Sequence, residues 1–141
     1  MDYEISRKYK AVAESVIDAE PELHWIREAR VQIGYLRSFK EKKSSGRPTL
    51  GECRKVNELY EPFCPYDFLI TIFEPNVAGM TKQQIRILMF HELLHVGMEE
   101  KNGELKYKVI PHDVEDFYSI LDRYGTRWSF SNGGSITEGG G

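Results

Sequence analysis

Apolar residues recur at Ile5, Tyr9, Val12 and Val16, with Ala13 and Ile17 beside them. That spacing gathers one stripe on a helical surface and predicts a helix over about residues 3–19, closed by Pro21. The pattern then changes period. From Arg30 to Phe39 polar positions alternate with β-branched or aromatic ones, which reads as a strand. The polar run Lys40–Pro48 reads as a turn or mobile loop, and a second strand is expected around Gly51–Leu59. Asp67–Glu74 is almost continuously apolar, as an interior strand covered on both faces would be, and Pro75-Asn76 ends it.

Thr81-Lys82-Gln83-Gln84 has the Thr-x-x-Gln form of a capping box. The helix it opens runs through Ile85–His95 and is expected to stop near Gly97, a residue suited to a left-handed C-terminal cap. Asn102-Gly103 predicts a two-residue hairpin turn. Asp113 can cap a last helix of about residues 114–124, with Val114, Phe117, Ile120 and Leu121 on its buried face. The expected fold is α+β: a mixed or antiparallel sheet of about three to four strands packed with an N-terminal, a central and a C-terminal helix. One domain over residues 1–128 and a flexible tail over 129–141, rich in Gly and Ser, complete the expectation.

Composition narrows the class. A chain of 141 residues with 40% hydrophobic and 29% charged residues can bury a core without staples. No apolar run reaches the length of a membrane span, and the N-terminal segment has no signal-peptide apolar stretch, so a cytoplasmic protein is expected. Two cysteines, Cys53 and Cys64, are read as reduced thiols. Net charge is −3, yet residues 30–57 hold eight Lys/Arg against two acids. Such a block can meet a polyanion, but a solvated loop with flanking strands is favoured, since no aromatic residues interleave with the loop's charges.

The chemistry concentrates in His91-Glu92-Leu93-Leu94-His95. On a helix, residues four apart lie one turn apart, so both imidazoles can reach one ion. Glu92, beside the first, is placed to take a proton from a water. The apolar stretch Ile85–Phe90 would bury much of this helix and make idle histidines costly. A hydrolytic zinc site needs three protein ligands and an open position. Met98 and Lys101 stand where a metzincin has Gly and His, which excludes that subclass. His112 is the favoured third ligand, because the hairpin centred on Asn102-Gly103 returns the chain toward the helix; Asp113 and Glu115 are its rivals. Asp113 also suits a helix cap, and Glu115 or Asp116 could orient a ligand histidine. Tyr107, Tyr118 and Arg123 are candidate oxyanion donors, each more readily structural.

The run FHELLHVG, a Gly-containing turn, then PHDVEDF and RYGTRW, resembles the putative phage metallopeptidase family, small zincin-like proteins of phages and prophages. The upstream KVNELYEPF and YDFLITI segments extend the similarity over roughly residues 29–128. The resemblance implies a zincin-like fold, Zn2+ held by His91, His95 and His112, and Glu92 as catalytic base. A protein or peptide substrate and a bacterial or phage-infected host cell are the accompanying expectations. Two alternatives stand beside a zinc metallopeptidase: a zinc-binding module without catalysis, and a DNA-associated protease acting on nucleic-acid-bound proteins through the 30–57 segment.

Overall fold

The computed structural model describes residues 2–111. The chain opens not with a helix but with a strand, β1 (Tyr3–Ile5), followed by α1 (Arg7–Ala19). The Ser6 hydroxyl accepts a hydrogen bond from the Tyr9 amide at 3.1 Å and sets the helix start there. Ile5, expected on the helix stripe, is strand and 70% exposed. Tyr9, Ala13, Val16 and Ile17 form the buried face of α1 as the spacing predicts. Glu20 ends α1, Pro21 begins a 3-10 turn, and the short α2 (His24–Glu28) follows.

β2 (Ile33–Ser38) lies within the predicted strand. The polar run after it makes a turn, the first of its two predicted readings. It forms a small hairpin, β3 (Lys43–Ser44) and β4 (Arg47–Pro48), whose turn residues Ser45 and Gly46 both have positive φ, 53° and 78°. Asn76 Nδ2 donates to the carbonyls of Lys42 (2.9 Å) and Thr49 (2.8 Å), holding the base of the hairpin. β5 (Gly51–Lys55) is shorter than expected, because Asn57 caps a 3-10 turn at Glu58–Tyr60. β6 (Phe68–Phe73) is the interior strand: only Leu69 of its six residues is not fully buried. α3 (Glu74–Val77), with Pro75 in its first turn, ends it.

The main sheet has the order β1-β2-β6-β5, with β2 and β6 parallel and the two outer strands antiparallel to their neighbours. The fold is thus α+β around a mixed four-stranded sheet. α4 (Lys82–Leu93) packs with α1, and its Leu88, Met89 and Leu93 are buried in one core with Phe68, Ile70 and Ile72 of β6. A separate hairpin, β7 (Val96–Lys101) and β8 (Glu104–Val109), turns at Asn102 (φ 54°) and Gly103 (φ 82°), as the sequence predicts. Both cysteines are free. No described helix is long and apolar enough to cross a membrane.

Two expectations about α4 meet different outcomes. Its N-terminus carries both arms of the capping box: the Thr81 amide donates to Gln84 Oε1 (2.8 Å) and the Gln84 amide to Thr81 Oγ1 (3.1 Å). Its C-terminus is not at Gly97. The helix ends at Leu93, and Gly97 is in extended β7, where an added Cβ would lie 2.3 Å from Ile110 Cδ1. The glycine is there for close approach, not for a left-handed cap. The expected helix at 114–124 and the tail at 129–141 lie outside the described residues.

Thr81→Ala removes one arm of the box and should destabilise the protein by about 1 kcal/mol. In urea unfolding the midpoint should fall while the slope stays constant; an unmoved midpoint would refute the cap's contribution.

Candidate metal centre

The core-facing residues of α4 draw its last turns into the protein, so His91 and Glu92 are only 5% and 4% exposed. The end of the helix is tightened: the Leu94 amide bonds Phe90 O at 3.0 Å and the His95 amide bonds Glu92 O at 3.1 Å. His95 therefore sits in the turn just beyond the helix, yet its ring still meets that of His91. Their centres are 5.0 Å apart and their planes nearly perpendicular, at 86°. Two imidazoles bound through Nε2 to one tetrahedral ion at about 2.0–2.1 Å would have their centres roughly 5 Å apart. The pair therefore fits a shared cation.

The tautomer of His95 is set by the backbone. Its Nδ1 lies 2.6 Å from the Ile110 carbonyl, which can only accept, so Nδ1 carries the proton and the ring's lone pair is on Nε2. A ligand histidine held by a carbonyl at its other nitrogen is the usual arrangement around zinc. The contact is doubled, since the Ile110 amide donates to His95 O at 2.7 Å. Nothing in the sequence signals a backbone carbonyl as a partner, and the pattern reading missed Ile110.

Glu92 lies against the start of β5. A Cβ at Gly51 would come within 3.3 Å of both Cγ and Oε2 of Glu92, so glycine admits the carboxylate beside the strand. Burial, and then the charge of Glu52, push the Glu92 pKa up to about 8. Burial also acts to raise the pKa of Glu52, but Lys42 Nζ (2.6 Å) and Arg54 Nε (3.0 Å) donate to it and hold it below its ordinary value, so it stays ionised. The Cys53 thiol, on the same strand, is pushed up to about 12 by burial and by Glu92, which makes it an inert neutral group.

His91 and Glu92 open into a cleft of about 560 Å³, with Gly51 at its floor and Ser44, Arg47 and Thr49 of the hairpin region opposite. This wall was also missed, because its residues read as a polar loop. Tyr107 is not part of it: its ring packs edge-on against Phe68, with centres 5.5 Å apart. In the basic segment, Arg37 pairs with Glu4, Lys40 with Asp2, and Lys42 and Arg54 share Glu52. At least four of its eight cations are thereby paired locally.

Among the described residues, no group of three His, Cys, Asp or Glu is placed to hold a metal ion. His91, Glu92 and His95 are brought together; His112, its rivals Asp113 and Glu115, and Asp116, Tyr118 and Arg123 lie outside the described residues.

Residues 1–132 match the family described as putative phage metallopeptidase, and the chain belongs to that family. No curated protein matches the chain. No solved structure matches it either.

The raised Glu92 pKa has a sign that can be checked in metal-free protein. Between the ordinary carboxylate value of 4.5 and about 8, the folded state keeps a proton that the unfolded state has released. Stability therefore falls as pH rises through that window. From about pH 6 to about pH 9 in chelator, the parent should lose several degrees more in Tm than Glu92→Gln. Excess zinc should flatten the difference, since a nearby cation favours the ionised carboxylate. Equal losses in the two proteins would show that Glu92 is not the titrating group.

Proposed function

We infer that this member of the putative phage metallopeptidase family is a zinc-dependent peptidase with a zincin-like active site, in which His91, His95 and His112 hold the metal and Glu92 is the general base. One observation carries the reading: the two imidazoles stand at the separation a shared ion requires, with a buried carboxylate on the same turn facing a cleft. Three neutral imidazoles suit zinc and leave one position open. When bound, zinc would polarise the scissile carbonyl and bring the pKa of a water toward about 7. Ile110, pinned to His95, stands two residues before His112 in the chain, which favours His112 over Asp113 and Glu115.

The chain's own residues supply the rest. Glu92 takes a proton from the attacking water and delivers it to the leaving amine nitrogen. Burial makes it a better base than a surface carboxylate, and Gly51 keeps the strand backbone close without crowding it. Among the described residues β5 is an outer strand of the sheet, with Gly51 lining the cleft, so an extended peptide can add to its edge and lie across His91 and Glu92. Such binding uses main-chain groups and demands little of the substrate's sequence. A cytoplasmic setting in a bacterial or phage-infected cell belongs to the same proposal.

Zinc content and hydrolysis of a quenched fluorogenic peptide mixture test it together. Glu92→Gln should keep stoichiometric zinc and lose turnover by about 10²–10⁴-fold, the usual contribution of a general base. His95→Ala and His112→Ala should lose both metal and activity. Full activity in Glu92→Gln would end the base assignment, and full zinc in His112→Ala would pass the third position to a carboxylate.

A further inference from the structure

The first two turns of α4 and one face of α1 enclose a second concavity, separate from the cleft, of about 460 Å³. Its floor is apolar, with Val12 from α1, Ile85 from α4 and Met80 just before α4. Its rim is basic on both walls: Lys8 projects from α1, and Lys82 and Arg86 from α4. No acidic residue lines it among the described residues. None of the three cations makes an ion pair with a described acid, in contrast to Arg37, Lys40, Lys42 and Arg54. Arg86 donates to Ser15 Oγ at 2.5 Å, which ties the two walls together and fixes the width of the groove.

We propose that this groove is a docking site for a partner protein that presents an acidic amphipathic helix. Three features select that occupant. Lining residues at positions 8, 12 and 15 of α1, with 82, 85 and 86 of α4, put helical walls on two sides of one concavity, a surface into which a third helix can pack its own ridge. The apolar floor takes aliphatic side chains at helical spacing, a helix-in-groove mode of recognition. The cations come from both walls, Lys8 from α1 and Lys82 and Arg86 from α4, so they can meet carboxylates on both flanks of a helix. Duplex DNA matches the charge but not the recessed apolar floor. In a chain of net charge −3, this uncompensated basic rim also steers an acidic partner past the rest of the surface. The groove ends at Arg86, less than two turns before Glu92 on the same helix, so an occupant braces the element that carries the candidate metal centre.

The test uses the full chain and a labelled amphipathic peptide of about 14 residues, with Leu at i, i+3, i+4, i+7 and Glu on both flanks, followed by anisotropy. Binding should weaken steeply with added salt, and Lys8→Glu/Lys82→Glu should weaken it by about tenfold or more. Both positions are exposed, and the exchange leaves the Arg86–Ser15 contact in place. Arg86→Gln, with its fold checked by circular dichroism, gives an independent second reading. A peptide with Lys in place of Glu should not bind. Equal binding by the double variant, equal binding of the basic peptide, or no binding of the acidic one at low salt would each overturn the proposal. So would tighter binding of anionic vesicles or duplex DNA that the same exchanges abolish.

Discussion

The pair of hydrogen bonds between His95 and Ile110 joins the end of a helix to the end of a hairpin, and the candidate centre is organised around it. One bond fixes which nitrogen of His95 carries the proton. The other holds the returning strand in place. A backbone carbonyl can orient an imidazole without bringing a charge of its own, so Nδ1 is engaged and Nε2 is the nitrogen left to face the centre. The close approach has a steric condition, which Gly97 meets by leaving room for the Ile110 side chain where a Cβ would stand. Had the helix continued to Gly97, as the pattern of residues suggests, β7 could not begin at Val96 and the hairpin could not return Ile110 to His95.

Against that fixed point, Glu92 is held at a cost. A carboxylate 4% exposed, near a second ionised carboxylate, favours its neutral form. Lys42 and Arg54 could have compensated it, but both are committed to Glu52 on the opposite face of β5. The result is a place where positive charge is wanted and no described side chain supplies it at Glu92. This polarity, a buried acid beside two converging imidazoles, is the physical reason to expect a cation there, and it is independent of family membership.

Much of this was legible in the residues, and the failures have identifiable causes. Thr81 and Gln84, and Asn102-Gly103, name their own local geometry, because capping and left-handed turns depend on a few neighbouring atoms. The run Phe68–Phe73 showed its interior position through lack of alternation. Helix and strand signals blurred where tertiary pairing decides: Ile5 fits the stripe of α1, but Ser6 caps the helix and β1 is drawn into pairing with β2. The hairpin at Lys43–Pro48 was hidden for a related reason. Its turn rests on Ser45-Gly46, a weaker signal than Asn-Gly, and its base is held by Asn76, roughly thirty residues away. The His91–Glu92–His95 cluster could be read because helical spacing alone brings it together; the hairpin wall and the Ile110 carbonyl could not, since long-range packing puts them there.

α4 emerges as two halves with different demands. Its first turns are stabilised locally by the capping box and present Lys82, Ile85 and Arg86 to the groove beside α1. Its last turns are stabilised by the core and the hairpin, and hold buried polar groups that lower stability on their own account. A helix is stiff along its axis, so the two halves cannot shift independently: what braces the first turns also restricts the last. Core burial of Leu88, Met89 and Leu93 fixes how far α4 enters the fold. That depth in turn sets how much solvent reaches Glu92 and how near Gly51 lies to it. A substitution that lets α4 slide outward by even a fraction of a turn would hydrate the carboxylate and loosen the His95–Ile110 contact together. The basicity of the acid and the aim of the imidazole are therefore two consequences of a single packing distance.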